Sequence, residues 1–348
     1  MSPYVVSILM MSLGLGTVLT FSSSHWLLAW MGLEINTLAI IPLMARYHHP
    51  RAVEATTKYF LTQSAAAAVI LFASVTNAWM TGQWELDEMT HPAASALILS
   101  GLALKVGLAP LHFWLPEVLQ GISLQTGLIL STWQKLAPLS LLIQISADAH
   151  PHLLAMFGLT SALVGGWGGM NQTQLRKILA YSSIAHLGWM IMISQAAPHL
   201  TLLALVIYIV MTTAAFLTLT NLNATMTVTL ASAWAKSPAM AALACLILLS
   251  LGGLPPLTGF MPKWLILQEL TAQGLTVLAT AVALAALLSL YFYLRLSYAA
   301  ALTLSPHTTL STAAWRTKKS RPTLPLSIMI VLATSLLPLT PTILGLIN

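Results

Sequence analysis

Charged residues are scarce in this sequence. Asp, Glu, Lys and Arg make up 6% of its 348 residues, whereas a soluble domain carries about 25%. Hydrophobic residues make up 57%, and the mean hydropathy is +0.84. A soluble core cannot hide that much apolar surface, so the expected solvent is lipid and a soluble enzyme is excluded. The net charge of +6 does not indicate binding to nucleic acid, because the basic residues are dispersed among apolar segments.

Cysteine and the common nucleotide-binding motifs are also lacking. The single cysteine, Cys245, excludes an internal disulfide and a cysteine-ligated iron–sulfur cluster within this chain. The sequence has no Walker A loop, no GxGxxG after a strand, no HExxH and no GxSxG. It therefore predicts no nucleotide or hydride chemistry of the chain's own.

Long apolar runs dominate instead. They are about 20 residues long, the length that crosses a bilayer as a helix, and they lack the alternation of barrel strands. Windowed hydropathy predicts an all-α polytopic membrane protein of about 11 transmembrane helices. The predicted spans are 4–22, 25–45, 56–80, 93–115, 123–145, 152–171, 175–195, 200–221, 238–270, 275–298 and 324–346.

The loop charges alternate between the two faces of this topology. Basic residues lie in or next to even-numbered loops, at Arg46, Arg51, Lys58, Arg176, Lys177, Lys236, Arg316, Lys318, Lys319 and Arg321. Odd-numbered loops carry acidic residues instead, at Glu85, Asp87, Glu88 and Asp148. By the positive-inside rule, the N-terminus is expected on the positive face and the C-terminus on the opposite one.

A proline motif occurs twice. Gly107, Pro110 and Pro116 match Gly253, Pro256 and Pro262 at one fixed offset. Each proline removes a backbone donor and blocks helix continuation, so both helices are expected to break. The first five spans fall at offsets similar to those of the sixth to tenth. Because each half has an odd number of spans, the two halves would insert in the membrane with opposite orientations. The sequence therefore predicts one membrane domain over 1–348: two inverted five-helix repeats, about 1–148 and 149–300, each with a broken helix, then a loop and last helix over 301–348.

Four charged residues lie well inside predicted spans, away from the span ends: Glu34, Lys105, Lys135 and Lys263. Each costs roughly 3 kcal/mol at a helix centre, and such residues usually mark an ion or proton path. Lysine suits a proton relay, since its ammonium can lose a proton where arginine stays charged. The alternative for each residue is a structural ion pair or a side chain that reaches the interface.

Two histidines are further relay candidates. His112 lies within the first broken segment and His186 inside the seventh span. Either can carry a proton near neutral pH, and either can instead be a hydrogen-bonded packing residue. Glu117 is either a second carboxylate near the break or a surface residue at a helix end.

These features together resemble the antiporter-like subunits of respiratory complex I, the proton-pumping NADH:ubiquinone oxidoreductase. The resemblance covers essentially the whole chain. The segments that carry it are Leu33 to Asn36, Leu104 to Glu117, Trp133 to Pro138, Arg176 to His186, and Leu254 to Lys263.

The resemblance implies a role for each buried charge. Glu34 would be the carboxylate and Lys105 the amine of an ion pair. Lys135 would be the central lysine of a hydrated axis, and Lys263 the terminal one, facing the next subunit. The axis would translocate protons, with no redox catalysis by this chain alone.

The resemblance also implies the chain's surroundings. NADH, FMN, iron–sulfur clusters and ubiquinone would belong to partner subunits, with no cofactor bound here. The expected partners are other complex I subunits, especially membrane-arm neighbours, and membrane lipid, with cardiolipin as one candidate. The expected location is the mitochondrial inner membrane, multi-pass, with the N-terminus on the matrix side and the C-terminus on the intermembrane-space side.

Two other functions remain open at this point. A subunit of a multisubunit cation/proton antiporter without redox activity would have a similar sequence. A haem-bearing membrane cytochrome would need paired histidines on facing helices, for which His112 and His186 are the candidates.

Overall fold

The structure is a computed structural model that describes residues 2–46, 48–86, 89, 91–147, 149–302 and 323–347. These residues form helices and no strand, with two isolated bridges, His25 to Glu85 and Gln174 to Met226. Part of the predicted loop-charge pattern lies outside the described residues: Asp87, Glu88, Asp148, Arg316, Lys318, Lys319 and Arg321.

The described helices follow one another with short connections. They are α1 (Pro3–Ser22), α2 (Trp26–Met44), α3 (Pro50–Thr81), α4 (Pro92–Val106), α5 (Trp114–Gly121), α6 (Leu124–Ser131), α7 (Trp133–Ile145), α8 (Pro151–Gly169), α9 (Leu175–Ile193), α10 (Pro198–Leu222), α11 (Thr227–Ala231), α12 (Ala233–Lys236), α13 (Pro238–Gly252), α14 (Phe260–Ala272), α15 (Thr276–Leu302), α16 (Leu324–Ser335) and α17 (Thr340–Ile347).

Six stretches in the described residues are long and apolar enough to cross a bilayer, and a pair bent by 66° near Leu336 could make a seventh. They are Pro3–Ser22, Trp26–Met44, Pro50–Thr81, Leu124–Ile145, Pro198–Leu222 and Thr276–Ala301, with the bent pair at Leu324–Ser335 and Leu337–Ile343. The chain is therefore an all-helical, polytopic membrane protein. The other predicted spans fall on the two interrupted helices, on glycine-rich α8 and on α9, which begins with a basic pair.

The chain leaves helical conformation at both proline motifs. Gly107 (φ +87°) caps the end of α4 and Gly253 (φ +79°) caps the end of α13, both in the left-handed conformation. The Leu108 amide donates to the Ala103 carbonyl (2.8 Å), and the Leu254 amide donates to the Leu249 carbonyl (3.3 Å). Both bonds are those of a glycine-based helix cap, which requires a residue that tolerates positive φ.

Glycines bring α8 and α9 into close contact. A Cβ at Gly188 would lie 2.6 Å from the Gly158 carbonyl oxygen, and one at Gly165 would lie 2.6 Å from the Ala185 amide nitrogen. Such contacts between backbones are how small residues bring membrane helices together. They hold α9, which carries His186, firmly within the bundle.

Candidate functional site

Glu34 and Lys105 face each other between α2 and α4. Glu34 lies near the middle of α2, and Lys105 lies in the last turn of α4 before the break. Lys105 Nζ is 3.8 Å from Glu34 Oε1, and the two side chains are 2% and 23% exposed. Glu34 Oε2 accepts a hydrogen bond from the Thr37 hydroxyl at 3.0 Å. Within the described chain the Lys105 ammonium makes no hydrogen bond, so the pair is in contact but loosely joined.

Lys135 lies at an interruption that the sequence did not predict. Thr132 (φ −112°, ψ −70°) separates α6 from α7. The Lys135 amide donates to the Thr132 carbonyl, which leaves the Ser131 carbonyl free to accept from the Tyr208 hydroxyl at 3.1 Å. The Lys135 ammonium donates to that same hydroxyl at 3.1 Å. Tyr208 thus joins a freed carbonyl to a buried cation.

Lys105 and Lys135 line the same small cavity. Its other polar lining residues are Asn36, Thr37, Tyr59, Gln63 and Gln134. A polar cavity with several donors and acceptors suits ordered water. The two lysines therefore share a polar cavity with room for roughly one water molecule.

The first break is held by hydroxyl groups of α8. The Ala109 amide donates to Ser161 Oγ at 2.9 Å, and the Thr160 hydroxyl donates to the Ala109 carbonyl at 3.2 Å. Irregular backbone at membrane depth needs such partners. His112 is buried in this break, and its ring centroid lies 6.4 Å from that of Tyr181.

The second break is held by Ser250, on the helix that leads into it, and by Lys263. The Gly259 amide donates to Ser250 Oγ at 3.3 Å. The Lys263 ammonium donates to the Gly252 carbonyl at 2.8 Å. A cation at the C-terminal end of a helix satisfies a free carbonyl and complements the helix dipole.

His186 lies beside Tyr208, the hydroxyl partner of Lys135. Its ring centroid is 5.7 Å from that of Tyr208. The structure therefore groups Lys135, Tyr208 and His186, brings Glu34 to Lys105, and places His112 beside Tyr181 instead.

Glu117 lies at the surface. Lys58 Nζ is 2.8 Å from both Glu117 Oε2 and Glu54 Oε1. The three side chains are roughly half exposed, at 54%, 43% and 63% for Glu117, Lys58 and Glu54.

Sequence reasoning missed Tyr208, Gln63 and Gln134. Tyr208 is the lone tyrosine of apolar α10, away from the interface where tyrosine is common in membrane proteins. A tyrosine in the middle of an apolar span was the sequence feature that could have identified Tyr208 as a functional residue. The two glutamines likewise lie within helices predicted to cross the bilayer, where an amide needs a polar partner.

Two family models match the chain. The model described as "NADH:quinone oxidoreductase/Mrp antiporter, TM" matches residues 23–289, and "NADH dehydrogenase subunit 2 C-terminus" matches residues 290–344. The NADH-ubiquinone oxidoreductase chain 2 of Carassius auratus is 67% identical over 346 residues, 99% of each chain. That of Gadus morhua is 62% identical over the full length of both. The chain belongs to the NADH-ubiquinone oxidoreductase chain 2 family.

Chains in two solved structures have a similar fold. A chain of respiratory complex I from Thermus thermophilus with bound aureothin superposes with a TM-score of 0.86 and 29% identity, covering 99% of this chain and 80% of that one. A chain of the Mrp complex from Dietzia superposes with a TM-score of 0.81 at 16% identity, covering 97% and 76%. The second likeness shows a shared fold alone. Within the described residues, no three His, Cys, Asp or Glu side chains are grouped to hold a metal.

Proposed function

We propose that this chain is a core membrane subunit of the proton-pumping NADH:ubiquinone oxidoreductase, respiratory complex I, in the mitochondrial inner membrane. The observation that carries the proposal is 67% identity over 99% of both chains to a relative of that name. The match to the subunit 2 C-terminus supports it independently. Its partners are the other complex I subunits, and NADH, FMN, iron–sulfur clusters and ubiquinone act in those subunits.

The buried charges would then form a proton-translocation axis. Glu34 and Lys105 are its ion pair, Lys135 its central carrier and Lys263 its terminal one, with His186 between the two and His112 at the first break. The shared cavity supports this assignment, because it is lined by both Lys105 and Lys135. The loose 3.8 Å ion pair supports it too, since a weakly joined pair can separate.

Electrostatic repulsion would couple these groups. Quinone chemistry in another subunit changes the charge near one end of the axis. When Lys105 is drawn to Glu34, its charge is balanced and Lys135 can remain protonated in the same low-dielectric region. When the pair separates, the uncompensated Lys105 charge repels that of Lys135, which releases its proton toward His186 and Lys263.

The architecture that suits this axis is the predicted one of about 11 spans. Two inverted repeats, about 1–148 and 149–300, are followed by the segment 301–348. The matching glycine caps at Gly107 and Gly253 support this arrangement. The N-terminus would lie on the matrix side and the C-terminus on the intermembrane-space side.

The alternative is a cation/proton antiporter subunit without redox activity. Its support is the fold shared with the Mrp complex, whereas the subunit 2 C-terminal model and chain 2 relatives favour complex I. No family model or relative described above supports a haem cytochrome. An absorbance spectrum of the purified protein tests that function.

Gentle solubilisation of the source membrane and native electrophoresis separate the two main candidates. We expect the chain to migrate with a very large assembly that oxidises NADH and reduces quinone. Migration in a smaller complex without NADH activity would contradict the proposal and favour the antiporter.

A further inference from the structure

The C-terminal helix bends beside the second break. α16 and the segment Leu337–Ile343 that follows it are bent by 66° relative to each other. Pro338 has no amide to donate to the Thr334 carbonyl four residues earlier, so a straight helix cannot continue through this region. The backbone groups around the bend therefore need other partners, because unpaired groups are costly inside a membrane.

A hydroxyl from the second break supplies one such partner. In a continuous helix the Leu336 amide would donate to the Leu332 carbonyl. Here Thr258 Oγ1 lies between the two groups: it donates to the Leu332 carbonyl at 3.0 Å and accepts from the Leu336 amide at 3.1 Å. A side chain inserted in this way into the helical hydrogen bonds is a recognised cause of sharp bends. Thr258 is 1% exposed, so bulk water does not compete for either bond.

Ser250 makes a second connection between the same elements. It lies near the end of α13, on the other side of the break from Thr258. Its hydroxyl donates to the Ala333 carbonyl of α16 at 2.6 Å and accepts from the Gly259 amide at 3.3 Å. The second break is therefore attached to α16 by one hydroxyl from each of its two ends.

Thr258 also begins the helix that carries Lys263. The Thr258 carbonyl accepts from the Met261 amide at 3.1 Å, and Lys263 lies in the first turn of this helix, α14. The Lys263 ammonium reaches back to the Gly252 carbonyl at the end of α13, at 2.8 Å. The bond between Lys263 and Gly252 thus depends on where α14 begins, and the side chain of Thr258 fixes that point to α16.

We propose that Thr258 is a positioning residue for Lys263, which it holds against the Gly252 carbonyl by locking the second break to the bend of the C-terminal helix. The inference rests on the proposed function, in which Lys263 is the terminal proton carrier. It gives α16 a part in that function, because the end of the chain then sets the position of the last carrier in the second repeat.

Loss of the Thr258 hydroxyl has unequal consequences for the two sides of the bend. The Leu336 amide and the Leu332 carbonyl can pair with each other when the hydroxyl is removed, as they would in a continuous helix. The start of α14 has no such replacement and loses its attachment to α16. Removing the hydroxyl should therefore disturb the position of Lys263 more than it disturbs the fold.

The test uses the assembled complex in proteoliposomes and compares Thr258→Val with Thr334→Val. Each variant replaces a threonine by an apolar residue of nearly the same shape, but the Thr334 hydroxyl contacts only carbonyls of its own helix, those of Ile330 and Val331. We expect Thr258→Val to lower NADH-driven proton pumping several-fold and Thr334→Val to stay near wild type. Thr258→Ser, which keeps the hydroxyl, should recover most of the loss.

A second measurement distinguishes an effect through Lys263 from a general loss of packing. Lys263→Gln alone should lower pumping about tenfold, less than the loss of a general acid–base group because the other carriers remain. Thr258→Val added to Lys263→Gln should lower that residual rate no further, since the two changes act through one group. The effect of Thr258→Val on thermal stability should be the same in both backgrounds.

The outcomes separate the positioning role from the proposed function. Wild-type pumping by Thr258→Val, equal losses in the two threonine variants, or a further several-fold loss in the Lys263→Gln background would each overturn the positioning role. If Thr258→Val does not assemble, Ser250→Ala removes the other connection to α16 and is judged by the same comparisons. Wild-type pumping by Lys263→Gln would instead overturn the proposed function of Lys263 itself, whatever the result for Thr258→Val.

Discussion

The three buried lysines differ in what holds them. Lys105 faces a carboxylate at 3.8 Å, Lys135 donates to a phenol hydroxyl at 3.1 Å, and Lys263 donates to a helix-end carbonyl at 2.8 Å. Of these partners only the carboxylate carries a full charge. A cation held by neutral groups in the membrane interior is costly. Loss of its proton, which leaves a neutral amine, is therefore easier than it would be in water. This is the property that a proton carrier needs.

The tyrosine beside Lys135 gives a test at this scale. Tyr208→Phe keeps the ring and removes the hydroxyl that contacts both the Lys135 ammonium and the Ser131 carbonyl. We expect normal assembly and coupled turnover lowered several-fold, because the lysine loses its partner and its position. Proton uptake and NADH oxidation by reconstituted complex measure this.

Tyr291→Phe is the matched control, since Tyr291 is 56% exposed on the outside of α15. Equal activity of the two variants would show that the Tyr208 hydroxyl has no part in proton transfer.

At the level of the helices, the breaks decide where the charges lie. Each glycine cap ends a half-helix at membrane depth. Gly253 has a second constraint, because a Cβ there would lie 2.9 Å from Lys263 Nζ. The cap and the terminal lysine are therefore one packed unit, and moving either one displaces the other.

Gly253→Ala tests this coupling against Gly274→Ala. Both glycines have positive φ, +79° and +77°, but nothing lies within 4 Å of a Cβ at Gly274. We expect Gly274→Ala to cost only the backbone strain, about 1–2 kcal/mol, with activity retained. Gly253→Ala should also displace Lys263 and reduce pumping several-fold. Thermal stability and pumping of both variants, measured together, check this, and matched losses in the two would contradict it.

A helix break could be predicted from the sequence where a residue at the break itself causes it. Pro110 and Pro256 block a helix wherever they occur, so both breaks were predictable. The interruption at Thr132 was not. Its freed Ser131 carbonyl is satisfied by Tyr208 from α10, a contact between residues far apart in sequence.

The same distinction holds for the site. A charge in an apolar run is visible in sequence, which is why Glu34, Lys105, Lys135 and Lys263 could be proposed. The pairing of Glu34 with Lys105 came from family resemblance, and its 3.8 Å geometry depends on the packing of both α2 and α4 against α3 and α7. The positions of His112 and His186 beside different tyrosines follow from the packing of α9, which no local pattern specifies.

For the whole molecule, orientation in the membrane is the testable property. α3 has 32 residues, about 48 Å at 1.5 Å per residue, which exceeds the hydrocarbon thickness. Exposed His49 and Gln83 flank it and should lie on opposite faces. We expect a membrane-impermeant maleimide to label His49→Cys from the matrix side and Gln83→Cys from the other side.

Cys245 is buried and gives little background. Labelling of both positions from one side would contradict the topology, and labelling from exchanged sides would reverse the proposed orientation.

The central claim is that this subunit carries protons on Lys135. The most direct measurement is proton translocation per NADH oxidised by assembled complex carrying Lys135→Met in proteoliposomes. The account predicts normal assembly with coupled pumping reduced about tenfold or more, the scale of losing a positioned acid–base group. Assembled complex that pumps at the wild-type ratio and rate with methionine at this position would contradict it.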